Sequence, residues 1–253
     1  MLNGKKVLLI ITGGIAAYKS LELVRKLKEK GADVIPVMTK AAENFVTPMS
    51  VSALAQEKVF NKLFDLTDEA EMGHIELSRS SDLIIVVPAS ADFIAKTATG
   101  QANDLASTLI LATDTKVLMA PAMNVRMWEN PLTQKNIKIL HNNGVKFVGP
   151  DEGEMACGEF GFGRMAEADE ILNEIEANFR DKKLKGRHFL VTSGPTIEPI
   201  DPVRFIGNRS SGLQGGAIAN ELVESGAEVT FITGPVNLDP PHGSNIILSL
   251  IHI

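Results

Sequence analysis

Short apolar runs alternate with stretches of helical period along most of this chain, and this alternation constrains the fold more than any other feature. In the first part, apolar runs of strand length lie at 7–11, 34–38, 83–87, 116–119 and 145–148. Helical patterns separate them, at 17–27, 50–56, 72–79, 105–112 and 130–142. Buried strands joined by helices are typical of a parallel sheet with helices on both faces. We therefore predict an α/β fold.

A second, shorter α/β pattern follows a polar stretch. A charged helix at 168–179 leads into residues 181–186, which we interpret as a linker. A strand at 188–192, a helix at 215–225 and a strand at 228–232 come next. Such a unit is too small to cover both faces of a parallel pair of strands. We therefore expect one domain at 1–180 and an incomplete second α/β domain at 187–253.

The composition argues against several classes of protein. The chain has 253 residues and a net charge of −6, which disfavours a general binder of nucleic acids. Its single cysteine excludes an intramolecular disulfide and fits a reducing compartment. The apolar run at 7–11 is too short for a signal peptide or a membrane span. We expect a cytoplasmic protein with neither a membrane nor a nucleic acid as partner.

Small and hydroxyl residues follow three of the predicted strands. Thr12-Gly13-Gly14 follows the first, Thr39 the second and Ser90 the third. Ligands of open α/β sheets bind outside these carboxyl ends, and a helix N-terminus beside small residues can hold a phosphate. A Gly-Gly turn alone is a weak signal, because it is also an ordinary tight turn. The three positions together favour a ligand with phosphate or ribityl oxygens.

Three further segments carry residues with catalytic chemistry. His74, expected on a helix, is of the residue type that transfers protons near neutral pH. Asn124 follows a strand, near the only tryptophan, and its amide can bind a carboxylate. Cys157 lies among glycines without helical or strand period, as in a flap over a ligand. Taken singly, His74 is better explained as a surface or capping histidine and Cys157 as an inert cysteine, and the loop around Asn124 could simply fill the core.

Four of these segments, in order and spacing, resemble the phosphopantothenoylcysteine decarboxylase family of flavin-containing cysteine decarboxylases. They are Thr12-Gly-Gly14, Gly73-His74, Pro121-Ala-Met-Asn124 with Met127-Trp128, and Ala156-Cys-Gly158 with Gly163-Arg-Met165. The resemblance covers about residues 4–176, and Phe162 stands where the family often has proline. It implies a Rossmann-like (flavodoxin-like) fold, FMN as cofactor, and a trimer or a trimer-based dodecamer.

The resemblance also implies the reaction, the decarboxylation of 4'-phosphopantothenoylcysteine to 4'-phosphopantetheine in coenzyme A biosynthesis. His74 would assist proton removal, Asn124 would hold the carboxylate and Cys157 would return a proton, without a metal. FMN would contact Gly13, Gly14, Ile15, Thr39, Ser90, Ala91, Asp104 and Met123. The substrate would contact Asn124, Ala156, Gly158, Arg164 and Met165.

This chemistry requires an electron sink, because direct loss of CO2 from a cysteine carboxylate would leave an unstabilised carbanion. Oxidation of the –CH2–SH group to a thioaldehyde places a C=S group β to the carboxylate, where it accepts the electrons. Reduction and protonation of the resulting ene-thiolate complete the reaction. A flavin supplies both redox steps, while the protein places the groups and excludes water.

The second part resembles phosphopantothenate–cysteine ligase, which in bacteria is fused behind the decarboxylase. The segments are 192–196, 198–204 and 208–212, with Ile197 and Leu213 where that family usually has polar or basic residues. The family's further stretch with its lysine-rich nucleotide loop is missing, so we expect a truncated ligase. The implied site for CTP and Mg²⁺ is therefore partial, comprising Gly194, Pro195, Thr196, Asn208, Ser211 and Gly212.

Three alternatives remain open. A flavin prenyltransferase has a similar fold and binds FMN, but would not need Cys157. A non-catalytic regulatory homologue would not need His74, Asn124 and Cys157 together. A ligase fragment active through residues 187–253 is disfavoured by the missing stretch. A yellow protein whose flavin bleaches on adding substrate would favour the decarboxylase.

Overall fold

The chain divides into two compact units, Met1–Glu176 and Ala177–Ile253. The computed structural model describes residues 2–61, 77, 79–155, 158–180 and 182–251. Each unit has its own sheet and its own hydrophobic core. The division falls in the last turn of a helix, slightly ahead of the linker predicted at 181–186.

The main sheet of the first unit consists, in the described residues, of five parallel strands. Their spatial order is β2-β1-β3-β4-β5. This is the flavodoxin-like order, so the predicted fold class is confirmed, and the order reverses between β1 and β3. Ligands of such sheets bind in the crevice at this reversal. The strands are β1 (Lys6–Ile11), β2 (Asp33–Met38), β3 (Leu83–Ala89), β4 (Val117–Pro121) and β5 (Lys146–Phe147).

Helices connect and cover these strands. Two of them, α3 and α5, were not predicted, because helices of eight and five residues are too short to show a clear period. The helix predicted at 72–79 lies largely outside the described residues. None of the helices in the described ranges is long and apolar enough to cross a membrane. The helices are α1 (Ala17–Glu29), α2 (Pro48–Ala55), α3 (Ala91–Ala98), α4 (Leu105–Ala112), α5 (Val125–Glu129), α6 (Pro131–Asn142) and α7 (Ala168–Phe179).

Both faces of the main sheet are buried. On one face, Leu8 and Ile84 belong to a core cluster that also holds Phe93 of α3, Leu109 of α4 and Leu140 of α6. The residues on either side of Leu8 in β1 and of Ile84 in β3 are buried as well. Because neighbouring residues of a strand point to opposite faces, these side chains lie on the other face of the sheet. Helix α1 contacts β2 and β3. The near-continuous apolar runs of the sequence thus correspond to strands covered from both sides.

Strand β3 continues two residues beyond its predicted end at Val87. Its ladder with β4 is irregular between Val86 and Ala89. Pro88 lies within this irregularity. Its lack of an N–H group therefore does not interrupt a regular series of ladder hydrogen bonds. The strand therefore ends immediately before Ser90.

The glycine-rich stretch around Cys157 contains a β-hairpin, although the sequence showed no strand period there. Its strands are β6 (Asp151–Glu154) and β7 (Phe160–Arg164), paired antiparallel. Glycines at 153, 161 and 163 hide the alternation, because a glycine has no side chain to be read as inward or outward. Ala156 and Cys157, between the two strands, lie outside the described residues.

The second unit has a smaller parallel sheet of order β12-β11-β8 beside a short antiparallel hairpin, β9–β10. Phe189 and Val191 of β8 pack into a core with Val229 and Phe231 of β11. Leu190, which lies between Phe189 and Val191 in β8, is 63% exposed, so the sheet is covered on one face. The sequence missed both hairpin strands and β12. The elements are β8 (His188–Ser193), β9 (Ile197–Pro199), β10 (Phe205–Gly207), α8 (Leu213–Glu224), β11 (Glu228–Thr233) and β12 (Asn245–Leu248).

Candidate active site

A cavity of about 750 Å³ opens at the carboxyl ends of the main sheet of the first unit. A second cavity of about 490 Å³ lies at the other edge, beside Lys116 and Val145, which precede β4 and β5. Ligands of parallel sheets bind at the carboxyl edge, so the first cavity is the candidate site. Its lining residues that follow strands are Thr12, Gly13 and Gly14 after β1, Thr39 after β2, Ser90 after β3, and Ala122 and Met123 after β4.

Most of the residues predicted to contact a cofactor line this cavity. The exception is Ile15, whose side chain is 64% exposed and does not line it. Asp92 and Lys96 also line the cavity and were missed, because they lie on the unpredicted helix α3. The predicted residues brought together here are Gly13, Gly14, Thr39, Ser90, Ala91, Asp104 and Met123.

The two glycines after β1 have different surroundings. A methyl group on Gly13 would come within 2.5 Å of the Ala41 side chain, so the segment after β2 packs directly on this glycine. A methyl group on Gly14 would meet nothing within 4 Å among the described residues apart from its chain neighbours. Gly13 therefore serves packing, and Gly14 faces the cavity.

Helix α1 begins beside this turn without a side-chain cap. Five other helices of the same unit start with a side-chain oxygen that accepts a backbone N–H group, so the first turn of α1 differs from theirs. The Ala17 N–H donates to the Gly14 carbonyl and the Lys19 N–H to the Ala16 carbonyl, so an anion would be held by the other N–H groups of this turn. The five capping residues are Thr47, Ser90, Asp104, Asn124 and Asn130.

Two buried hydroxyl groups hold the end of β3. The Thr12 hydroxyl donates to the Pro88 carbonyl at 2.7 Å and accepts the Ser90 N–H at 3.0 Å. The Ser20 hydroxyl donates to the Val87 carbonyl at 2.6 Å. The ends of β1 and β3, on either side of the strand reversal, are thereby tied together.

The side chain of Asp104 supports one wall of the cavity. Its Oδ1 atom accepts both the N–H and the hydroxyl of Ser107 at 2.8 Å, which caps α4. Its Oδ2 atom lies 3.6 Å from Nζ of Lys96, which lies 3.2 Å from Asp92. These charges link the starts of α3 and α4.

Asn124 forms the N-cap of α5. Its side-chain oxygen accepts the Met127 N–H at 2.8 Å. An amide whose oxygen is engaged in this way presents its NH2 group as a donor, which is the group a carboxylate requires. Met123, the preceding residue, lines the cavity, so Asn124 lies beside it.

The β6–β7 hairpin rests on the segment that holds Asn124. The Met123 N–H donates to the Gly163 carbonyl at 3.0 Å. A methyl group on Gly163 would overlap the Met123 carbonyl oxygen, and one on Gly161 would come within 3.2 Å of Val125. At Gly163 the close backbone approach leaves no room for a side chain, and at Gly161 a φ of +149° favours glycine.

The other face of β7 is exposed. Phe160 is 72% and Phe162 51% exposed. Nη2 of Arg164 lies 3.7 Å from the Glu167 carboxylate, which also accepts a hydrogen bond of 2.8 Å from Lys19 of α1. Met165 is buried, with 2% of its surface exposed, and so does not present the contact surface predicted for a substrate.

Three predicted site residues, His74, Ala156 and Cys157, lie outside the described residues. Gly158 is described, and its N–H donates to the Met155 carbonyl at 2.8 Å. The structure thus brings together the cavity, the Asn124 segment and the hairpin strands, and Arg164 lies at the end of that hairpin.

One carboxyl group at the base of the hairpin has a shifted titration. Burial and the neighbouring Glu170 carboxylate raise the pKa of Asp151, and the Arg164 guanidinium partly opposes them. Asp151 pairs with Arg164 across the hairpin.

The second unit has a cavity of about 520 Å³ between the start of α8 and the end of β11. Of the predicted ligase residues, Gly212 lines it; Gly216, Thr233 and Gly234 line it too and were missed. The signal was available, because Thr233-Gly-Pro235 repeats the pattern of Ser193-Gly-Pro195 after a strand.

The other predicted ligase residues form local hydrogen bonds. The Asn208 amide donates to the Thr196 hydroxyl at 3.0 Å, and its oxygen accepts the Ser210 N–H. The Ser211 hydroxyl accepts the Leu213 N–H at 3.4 Å. Gly194 lies close to Gly212, so a methyl group on the latter would come within 3.6 Å of the Gly194 Cα atom. Pro195 follows Gly194 directly.

Curated relatives match almost the whole chain. It is 50% identical over 242 residues to the coenzyme A biosynthesis bifunctional protein CoaBC of Vibrio parahaemolyticus, and the match covers 96% of this chain and 61% of the relative. It is 43% identical over 246 residues to the CoaBC protein of Bacillus subtilis, covering 96% and 61% respectively. The chain therefore spans about three fifths of the length of these relatives.

Solved structures resemble the first unit in particular. A cysteine-to-serine mutant of PPC decarboxylase, complexed with pantothenoylaminoethenethiol, superimposes with a TM-score of 0.63 at 30% identity. The match covers 69% of this chain and 97% of that one. The FMN binding protein AtHal3 has the same TM-score and identity, with 70% and 97% covered.

Two family models match in succession. The model of the C-terminal domain of DNA/pantothenate metabolism flavoproteins matches residues 184–249. The flavoprotein model matches residues 1–180, which include the whole cavity described above. The chain therefore belongs to the flavoprotein family.

Proposed function

We propose that the first unit is an FMN-dependent decarboxylase, which converts 4'-phosphopantothenoylcysteine to 4'-phosphopantetheine in coenzyme A biosynthesis. The observation that supports this most is the junction at Met123. This residue lines the cavity, precedes Asn124 and bonds to the hairpin through Gly163. A cofactor site, a carboxylate-binding amide and a covering hairpin therefore meet at one point of the chain.

The cavity has the properties that FMN requires. Its volume lies within the range of cofactor sites, roughly 300–1,000 Å³. The uncapped start of α1 and the open side of Gly14 suit the phosphate, and the hydroxyls of Thr39 and Ser90 suit ribityl oxygens. Gly13, Ala91, Asp104 and Met123 complete the proposed contacts, with Ile15 limited to its backbone.

When bound, FMN supplies a reversible acceptor for a hydride. The chain's own groups bind, orient and transfer protons. We assign the Asn124 amide to the substrate carboxylate, so that the bond to CO2 is held in a fixed direction. We assign His74 to removal of a proton and Cys157 to its return, while the hairpin excludes water. Gly158, Arg164 and the chain at 156 would hold the rest of the substrate.

The proposal is tested by measuring flavin and CO2 in the same preparations. The purified protein should be yellow, and substrate should bleach its flavin. Asn124→Asp should abolish CO2 release with the flavin retained, because a second carboxylate repels that of the substrate. Asn130→Asp is the matched control, since Asn130 caps α6 in the way that Asn124 caps α5. Equal CO2 release by both variants would refute the assignment of Asn124.

The role of Cys157 is tested separately. Cys157→Ser should still release CO2 and should accumulate the oxidised ene-thiol product, because only the final protonation is impaired. A folded, flavin-loaded Cys157→Ser protein without CO2 release would contradict this separation. A flavin prenyltransferase would release no CO2 from the cysteine substrate in any variant.

We further propose that the site is completed by a second copy of the chain, in a trimer or a trimer-based dodecamer. His74 was predicted on a helix away from the strand ends that carry Asn124. Mixing inactive His74→Asn and Asn124→Asp subunits should then restore part of the activity. A monomer by light scattering at working concentration would end this proposal.

For the whole chain we propose a cytoplasmic protein with a decarboxylase domain at 1–180, a linker at 181–186 and a partial ligase domain at 187–253. The match to the C-terminal domain model supports the last of these. CTP and Mg²⁺ would be ligands of the corresponding full-length proteins. The partial cradle around Gly194 and Gly212 is the part of such a nucleotide site that this chain contributes.

A further inference from the structure

We propose that Thr12 is a positioning residue of the cofactor site and that it acts through Ser90. Thr12 would hold Ser90 so that the serine presents its hydroxyl hydrogen, rather than its backbone N–H, to an acceptor on the ligand. This inference rests on the proposed FMN site.

Thr12 bridges the point where the strand order reverses. It directly follows β1, is 1% exposed, and reaches across to the end of β3. A hydroxyl has a single proton, and that of Thr12 is directed to the Pro88 carbonyl at 2.7 Å. Only a lone pair remains on the side facing Ser90, and it accepts the Ser90 N–H. The backbone donor of Ser90 is therefore engaged before any ligand arrives.

The same arrangement fixes what the Ser90 side chain can offer. Its oxygen accepts the Phe93 N–H at 3.3 Å and so caps α3. Within the described residues, the proton of this hydroxyl has no acceptor. Because Ser90 lines the cavity, that proton is available to a phosphate or hydroxyl oxygen of the cofactor. Thr12 thus determines which of the two Ser90 donors faces the ligand.

Ser20 provides a matched control. Its hydroxyl is fully buried and donates to the Val87 carbonyl at 2.6 Å, one residue before the partner of Thr12. It does not line the cavity and does not bond to Ser90. Loss of either hydroxyl removes a buried hydrogen bond at the end of β3, but only loss of Thr12 releases Ser90.

Thr12→Val keeps the shape of the side chain and removes both hydrogen bonds. FMN affinity of the apoprotein, followed by quenching of flavin fluorescence, should fall roughly five- to tenfold, the equivalent of one hydrogen bond. Thr12→Ser should restore it, because the hydroxyl returns. Ser20→Ala, which loses one buried hydrogen bond where Thr12→Val loses two, should also be less stable than the wild type yet bind FMN like the wild type.

A double-mutant cycle tests the route through Ser90. If Thr12 acts by positioning Ser90, Thr12→Val should cost little further affinity in a Ser90→Ala background. Fully additive losses would overturn the inference, as would wild-type affinity in Thr12→Val. A Thr12→Val protein that does not fold, beside a folded Ser20→Ala, would overturn it too, by making Thr12 a residue of the fold. A wild-type protein that binds no FMN would instead refute the proposed function.

Discussion

In both units, a helix without a side-chain cap begins beside glycines at the end of a parallel strand, but the connections and the surroundings differ. A short turn joins β1 directly to α1, whereas the β9–β10 hairpin lies between β8 and α8. In the first unit, four strand ends and two further helices enclose a cavity beside α1. In the second, the cavity beside α8 is bounded by the end of β11 and by β12, under a sheet covered on one face. The walls of the two cavities are therefore determined by the neighbouring strands and helices and not by the start of the helix alone.

Even the glycine pairs correspond. Gly13 and Gly215 are both closed to a side chain, the first by Ala41 and the second by Ser193. Gly14 and Gly216 both face open space and line the cavity of their unit. The units can therefore be compared by making the same substitution in each.

The largest difference is expected in catalysis. The chain should release CO2 at a normal rate and form no amide bond between phosphopantothenate and cysteine with CTP. A ligase must neutralise a triphosphate, and no lysine follows Gly186 in the sequence. Both activities should be assayed in one preparation, with CO2 release as the positive control. CTP-dependent amide formation by this chain would remove the contrast between the units.

The next effect concerns flavin content. Gly14→Asp should lower FMN affinity roughly a hundredfold or more, because a carboxylate would lie beside the phosphate. Gly216→Asp introduces the same charge at the corresponding open position of the second unit and should leave the flavin content unchanged. Absorbance of the purified proteins measures both outcomes.

Gly13→Ala tests the packing of the turn after β1 without adding a charge, in contrast to Gly14→Asp. It should destabilise the first unit by about 1–3 kcal/mol, because the new methyl group has no room beside Ala41. Urea unfolding of the flavin-free protein gives this value. A fully flavin-loaded Gly14→Asp protein would show that the phosphate is held elsewhere.

A moderate effect is expected in proteolysis. Trypsin should cut first at Lys182, Lys183 or Lys185, which lie at the start of the second unit, a few residues after the boundary at Glu176, while the lysines of the first unit lie on a doubly covered fold. All the flavin should remain with the fragment near 1–180. Mass spectrometry of the first fragments provides the measurement, and initial cuts within the main sheet would contradict the expected order of stability.

The smallest effects should have opposite signs. The raised pKa of Asp151 means that its charge destabilises the first unit as pH rises through the folded pKa. Asp201 accepts the backbone N–H groups of Val203 and Arg204 and a hydrogen bond from the Arg204 side chain, which lower its pKa. Its charge therefore stabilises the second unit, and this stability is lost as pH falls through the folded pKa.

Asn substitutions at the two positions test these signs by urea unfolding. At neutral pH, Asp151→Asn should be more stable than the wild type and Asp201→Asn less stable. The Asp151 difference should shrink as the pH falls from the raised folded pKa to about 4, the ordinary aspartate pKa, and the Asp201 difference should shrink only as the pH falls below about 4. Glu152→Gln, an exposed neighbour on β6, is a control for general charge effects. Shifts of the same sign in both variants would refute the contrast.

The sequence was most informative where one strong pattern determines structure. Strands buried on both faces appear as apolar runs, so β1 to β4 were predicted within two residues of their observed ends. The glycines of β7 and the short helix α5 carry too little side-chain pattern to be seen. β12 was missed because its four exposed residues do not alternate.

The part of the site that follows the strand ends could be predicted from the sequence, and the contacts between separate elements could not. Gly14, Thr39 and Ser90 follow strand ends, and parallel topology places all strand ends at one edge. The hydrogen bonds of Thr12 depend on how β1 and β3 lie side by side, which no local pattern contains. The Asp104–Lys96 contact likewise needs two helices to be placed in space.

The hairpin divides its tasks between alternate residues. Gly161 and Gly163 contact the segment that holds Asn124, and both have backbone conformations that favour glycine. Phe160 and Phe162 are exposed on the other face of β7 and do not take part in this contact. Mutations at the outward positions can therefore accumulate during evolution without moving the Asn124 amide. Phe162, which is 51% exposed, occupies one of these outward positions. What the hairpin covers can thus change while the Asn124 segment stays in place.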